Sequence, residues 1–389
     1  PVHVPGTPHP VRGPGPGVRL PGAPPTRDHD PVGPLPGCRP SRMRVDDFDF
    51  HLPEDQIAQH PPAVRGTSRL MVLDRATGVT TMGTIADLPQ WLRAGDVLVV
   101  NDTRVFPARL LGTRHPGGGR LECLLVEAHG GDRWDALVHP GQRLKVGSRF
   151  TCAGEGGAIH GEIVGRGSHG RRTVQLHAEG YGDVDAAIEA IGHMPLPPYI
   201  HRPDLDADRD RYQTVFAASR GSVAAPTAGL HLTEDLLAHL RAMSVDVQTI
   251  TLHVGYGTFK PVRVDLIEDH IVDPERYAVP ESAANAINNA KAEGRRVIVV
   301  GTTTTRALES AVGEDGRVQA GAATTSLYVR PGHHFRVADA LMTNFHVPRS
   351  SLLFLVCAFA GRDHVLTAYE RAIAEGFRFY SYGDAMFIS

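Results

Sequence analysis

Long apolar runs are missing from this chain of 389 residues. No stretch approaches the roughly 20 consecutive apolar residues needed to cross a bilayer, and no charged and apolar secretory signal is read at the N-terminus. No membrane partner is expected, and the expected location is cytoplasmic. Cysteine is scarce as well. Cys38, Cys123, Cys152 and Cys357 are scattered without C-x-x-C spacing, so they are read as reduced thiols and not as a disulfide framework or zinc site. Also absent are H-E-x-x-H, a Walker loop, a G-x-G-x-x-G turn after a strand and a G-x-S-x-G elbow. Those absences remove the common metallohydrolase, NTPase, dehydrogenase and α/β-hydrolase readings, and no metal is called. Finally, positive charge is not in excess. The chain carries 40 Lys and Arg against 43 Asp and Glu; residues 43–389 alone hold 35 against 41, a charge near −6. Non-specific nucleic-acid binders are usually basic, so any RNA contact must use a local patch.

Proline is concentrated at one end. The first 42 residues hold 13 of the 30 prolines and no apolar periodicity, a composition expected to be disordered, as a tail or translated leader outside the working protein. From Met43 the pattern is α/β: RLMVLDR and GDVLVVN read as strands and TIADLPQWL as a short helix. Residues 101–200 change character. Six short alternating segments separated by Gly-rich turns suggest a small antiparallel barrel, followed by MPLPPYI (194–200) as the connection back. Helix and strand patterns alternate again from 201 to 389, which predicts a mainly parallel sheet. The expected organisation is an α/β domain from 43–100 and 201–389 with the barrel, 101–200, inserted.

Small polar residues gather where the apolar runs of the C-terminal half end: APTAGLHLT (225–233), TLHVGYGTF (251–259), VIVVGTTTTR (297–306) and ALMTNFHVP (340–348). Buried strands ending this way hold polar small molecules at one rim of a sheet. Gly301 followed by a threonine run opens a helix whose free N–H groups suit an anion, although threonine is also an ordinary N-cap. Arg306 and Glu309, one turn apart, read as a surface pair, with a buried clamp facing ligand as the alternative. His231, His253 and His346 each lie beside a glycine or threonine turn or an asparagine, which favours a site over three isolated structural histidines.

Together GSVAAPTAGLH, TLHVGYGTFKPV, VIVVGTTTTRALES, DALMTNFHVPRSSLL, AFAGR and FYSYGDAMFI resemble the S-adenosylmethionine:tRNA ribosyltransferase-isomerase family of queuosine biosynthesis. The likeness runs from Met43 to Ser389 and includes DFDFHLPEDQIAQHPP, VNDTRVFPARL, HPGQRLKVG and RYQTVFA in order. It implies an α/β-barrel-like domain interrupted by an antiparallel Greek-key β-barrel. It also implies transfer and isomerisation of the ribosyl moiety of S-adenosylmethionine onto 7-aminomethyl-7-deazaguanine in the tRNA anticodon, with adenine and methionine as products. S-adenosylmethionine is then a substrate, and no cofactor is called. The chemistry needs a base for the 5′ carbon beside the sulfonium and an acid for departing adenine. His253 and His231 are the first candidates, His346 and Asp339 the alternates. The methionine carboxylate is placed against Thr302, Thr303 and Thr304 with Arg306, and Glu309 is counted among the substrate-binding residues; adenine or ribose contacts are assigned to Thr227, Gly229, Gly255, Gly257 and Asn344.

Leu232, Tyr256, Asp273, Ser326 and Arg330 depart from the family pattern. That leaves two alternatives open, a paralogue with a small-molecule acceptor and an inactive nucleotide-binding or RNA-binding module. A monomer is favoured.

Overall fold

The computed structural model describes residues 42–167 and 170–389. The tail assigned to residues 1–42 lies outside them except for Arg42. In chain order β1 (Arg69–Leu73), β2 (Thr80–Thr84), β3 (Val97–Asn101) and a short β4 (Thr103–Val105) come first. Six strands follow, β5 (Arg109–His115), β6 (Arg120–Gly130), β7 (Arg133–His139), β8 (Arg149–Gly154), β9 (Gly157–Arg166) and β10 (Arg171–Glu179), then α1 (Val184–Ile191). Beyond α2 (Asp208–Arg211) and β11 (Ser219–Ser222) lie α3 (Glu234–Ala242), β12 (Asp246–Leu252), β13 (Glu275–Val279), α4 (Glu281–Ala292), β14 (Val297–Val300) and α5 (Thr302–Ser310). The chain ends with β15 (Gly321–Thr325), β16 (Ala340–Asn344), α6 (Ser351–Ala360), α7 (Arg362–Ala374) and β17 (Ala385–Ile388).

Nine strands form one sheet in the order β15-β13-β12-β3-β14-β16-β17-β1-β2. Its centre is built from VLVVN, VIVV and ALMTN, in which every residue is buried. Such runs suit strands covered on both faces. Alternate residues supply two cores: Val97, Val99, Val297, Val299 and Leu341 face one side, Leu98, Val100, Ile298, Val300 and Met342 the other. The sheet is mixed where the alternation predicted mainly parallel pairing. β12-β3-β14-β16 run parallel, as do β17 and β1, while the β16-β17, β1-β2, β12-β13 and β13-β15 pairs are antiparallel. The antiparallel pairs flank a parallel centre, and the repeating helices belong to that centre.

Strands β5 to β10 close into an antiparallel barrel, ordered β10-β7-β6-β5-β8-β9. β8 returns to lie beside β5 after the β5-β6-β7 meander, which is the Greek-key connection. Its core is separate, with Leu110, Cys123, Trp134, Phe150, Ile163 and Leu176 closed off by Val184, Ala187 and Ile188 of α1. Gly161 is needed here, because a Cβ would stand 2.1 Å from the Phe150 ring. β8 begins only at Arg149, after a turn in which Gly147 has φ +86°. Cys123, Cys152 and Cys357 are buried and unpaired, and burial pushes the Cys152 thiol up to about 12; Cys38 lies outside the described residues.

Candidate active site

The carboxyl ends of β12, β3, β14 and β16 meet at one edge of the sheet, the position where open α/β sheets bind ligands. A cleft opens there, walled by Thr227, Val254, Thr258, Gly301, Thr302, Thr303, Asn344, His346, Leu352 and Tyr380 among others. Asn344, the last residue of β16, organises one wall. Its Nδ2 donates to the Tyr380 carbonyl at 3.0 Å and to Nε2 of His231 at 3.0 Å, and its Oδ1 accepts from the Thr227 hydroxyl at 3.3 Å. Because Nε2 of His231 accepts, its Nδ1–H donates to Ser68 Oγ, 2.9 Å away.

α5 forms the opposite wall. Gly301 has φ +92°, which a side chain would strain, and it turns the chain straight from β14 into the helix. The first intrahelical bond runs from Thr305 N–H to the Gly301 carbonyl at 3.1 Å, so the N–H groups of Thr302, Thr303 and Thr304 form the free positive end. Thr304 and Thr305 turn their hydroxyls back onto the carbonyls of Val300 and Gly301. Asn101, at the end of β3, accepts from the Leu252 and Thr103 N–H groups, donates to the Leu252 carbonyl at 2.9 Å and reaches Thr303 Oγ1 at 3.5 Å. One amide thus ties the ends of β3 and β12 to the start of α5.

His346 follows β16 into the cleft and is 5 % exposed. Burial depresses its pKa to about 3, so the ring is neutral throughout the physiological range. The Tyr369 hydroxyl accepts from its backbone N–H at 3.1 Å and lies 3.4 Å from Nδ1. Tyr199 and Tyr380 complete the mouth as a stacked pair, with centroids 3.7 Å apart. Tyr380 is held at φ +71° by the Phe345 carbonyl and by Asn344. A left-handed non-glycine residue costs about 1–3 kcal/mol and persists where its surroundings over-determine it.

The sequence candidates divide. Thr227, Thr302, Thr303, Asn344 and His346 come together at the cleft. His231 stands one layer behind Asn344, fully buried, with its pKa lowered to about 4 by burial and then by Arg378 and Arg65. His253 does not line the cleft; Val254 does, and successive residues of an extended chain point to opposite faces. The His253 ring instead hydrogen-bonds Thr103 Oγ1 at 2.8 Å and packs on Gly221. Asp339 lies at the opposite end of β16, about 16 Å from Asn344 at strand rise, where it bonds Lys291 and the Val297 N–H. Neither His253 nor Asp339 lines the cleft. We expect His253→Ala to keep turnover within about tenfold of the parent, measured as adenine release; a loss of 100-fold or more contradicts this placement.

Thr304 and Gly229 are packed behind the cleft walls. Gly255 donates to Glu275 at 2.9 Å. Arg306 and Gly257 line an adjoining pocket. Arg306 and Glu309 are buried and do not pair on the surface: Arg306 binds Glu275, while Glu309 accepts the N–H groups of Arg336, Val337 and Ala338 at 2.9, 3.0 and 3.2 Å. Burial raises the Glu309 pKa, but these bonds and His333 outweigh it and hold the carboxyl below its ordinary value. Among the departures from the family pattern, Leu232 is core, Tyr256 packs against the barrel and Asp273 pairs with Lys260 at 2.6 Å. None of the five lines the cleft itself.

Fold and cleft define a two-part α/β enzyme with a polar cleft at the carboxyl edge of its sheet and an antiparallel Greek-key barrel. The chain belongs to the family of queuosine biosynthesis proteins, whose sequence model matches residues 45–388. The S-adenosylmethionine:tRNA ribosyltransferase-isomerase of Syntrophotalea carbinolica is 53% identical over 348 residues, covering 89% of this chain and 100% of that protein. That of Desulfitobacterium hafniense is 49% identical over 346 residues, with the same 89% and 100% coverage. A crystal structure of the S-adenosylmethionine tRNA ribosyltransferase from Thermotoga maritima is 32% identical and covers 88% of this chain and 100% of that one, with a TM-score of 0.49.

Proposed function

We propose that this protein transfers the ribosyl portion of S-adenosylmethionine to the aminomethyl group of a 7-deazaguanine base in tRNA and rearranges it, giving epoxyqueuosine, adenine and methionine. One observation carries the reading: relatives named S-adenosylmethionine:tRNA ribosyltransferase-isomerase align with this chain over their whole length at 53% and 49% identity. The small-molecule and inactive-module alternatives have no comparable support.

The reaction is assigned to the α/β part, which supplies every cleft residue except Tyr199. The positive end of α5 faces oxygen and nitrogen acceptors, as ribose hydroxyls and adenine ring nitrogens provide. The base role passes to His346, which alone of the four acid–base candidates lines the cleft. Its neutral ring accepts the 5′ proton; the C–H electron pair remains on carbon, stabilised by the adjacent sulfonium. The imidazolium so formed returns its proton to departing adenine. The sulfonium is its own electron sink, and the steps call for no resident cofactor. No single helix among the described residues is long and apolar enough to cross a membrane.

The test is adenine release from S-adenosylmethionine, followed by chromatography, with and without an anticodon RNA carrying the aminomethyl-deazaguanine. Release only with that RNA is expected. Release without RNA, or none in either case, contradicts the proposal.

A further inference from the structure

Beside the cleft, and sharing Thr258 and Leu352 with it, lies a second pocket walled by Glu275, Arg306, Tyr328 and Asp273. Arg306 is four residues after Thr302 on α5, so the two pockets follow one helix face about 6 Å apart. Arg306 is 8 % exposed. Its Nε donates to the Leu327 carbonyl at 2.8 Å and its Nη1 to Glu275. Its Nη2 is buried and has no partner among the described residues, and the same is true of the Tyr328 hydroxyl. A buried donor left unpaired costs about 1–3 kcal/mol, and more when charged. Two such donors on one pocket match an acceptor with two oxygens, as a carboxylate provides. Acidic groups share the pocket. Glu275 accepts from Gly255 N–H at 2.9 Å and Thr258 Oγ1 at 3.0 Å, and Asp273 lies on the same wall.

We infer that this pocket holds the zwitterionic amino-acid end of the donor, its α-carboxylate on Arg306 Nη2 and the Tyr328 hydroxyl and its α-ammonium toward Glu275 and Asp273. The inference rests on the reading of S-adenosylmethionine as donor. It moves the carboxylate away from the start of α5, leaving Thr302 and Thr303 to the nucleoside. Neither orphan donor is open to water, so binding requires a side-chain movement at the pocket's edge, where Leu352 stands between it and the cleft.

The experiment compares binding of S-adenosylmethionine and its decarboxylated analogue by titration calorimetry. Removing Arg306 leaves Glu275 buried without its cation and threatens folding; Tyr328→Phe removes one hydroxyl and is the variant of choice. The unaltered protein is expected to bind the decarboxylated compound about 10- to 100-fold more weakly, the range for hydrogen bonds to a charged group. Tyr328→Phe is expected to weaken S-adenosylmethionine about 3- to 10-fold and to leave the analogue unchanged. Equal affinity for the two ligands, or equal weakening of both by Tyr328→Phe, overturns the inference while leaving the donor reading intact. Binding of neither ligand overturns both.

Discussion

Replacing His346 with asparagine is expected to lower turnover by about 100- to 10,000-fold, the range for loss of a positioned proton acceptor. Asparagine approximates the near half of imidazole in shape but cannot take a proton from carbon. Little else should change, because the ring's one hydrogen bond among the described residues is the long 3.4 Å approach to Tyr369, and the stronger bond to that hydroxyl comes from the backbone N–H. The loss should therefore fall on kcat at saturating donor and tRNA, with KM for S-adenosylmethionine within a few-fold. Turnover within tenfold of the parent removes His346 from the base role.

Acid is expected to weaken the fold steeply. His346 and His231 are buried and neutral, with pKa values near 3 and 4 against about 6.5 in an unfolded chain. The unfolded chain then binds more protons between those values, so stability is complete above about pH 6.5 and is lost as pH falls toward 4. At pH 5 each histidine contributes a loss of about 2 kcal/mol, together about 4 kcal/mol. That is a large part of an ordinary domain's stability. Urea midpoints at pH 7.5 and pH 5 measure it, and His231→Gln, which keeps hydrogen-bonding capacity toward Ser68 and Asn344, should remove about half of the dependence. Equal midpoints at the two pH values contradict the burial of these neutral rings.

The cleft was legible in outline because its chemistry sits where buried strands stop. VIVVG, ALMTN and VLVVN announce both the strand and the polar residue at its end, and Thr302, Thr303 and Asn344 follow directly. Parity and direction were not legible. Whether His253 or Val254 faces the ligand depends on a single residue of register, which flips a side chain to the other face. Asp339 and Asn344 flank the same apolar run, and only the parallel pairing of β16 with β14 fixes which end lies at the site. Arg306 found its carboxylate in Glu275, 31 residues away, although helical spacing offered Glu309. Tyr199 and Tyr380 lie in irregular segments whose positions are set by tertiary contacts; the one signal for Tyr380 was its place in FYSYGD, and nothing local announces φ +71° there. The barrel was easier, since its short strands alternate and its turns are rich in glycine.

The most direct test is a crystal structure with S-adenosylmethionine bound. The account places the nucleoside between Thr227, Thr302 and His346 and brings the 5′ carbon within about 3.5 Å of an imidazole nitrogen, the distance of a near-attack geometry. Density for the ligand beside His253, or anywhere off the carboxyl edge of the sheet, contradicts it.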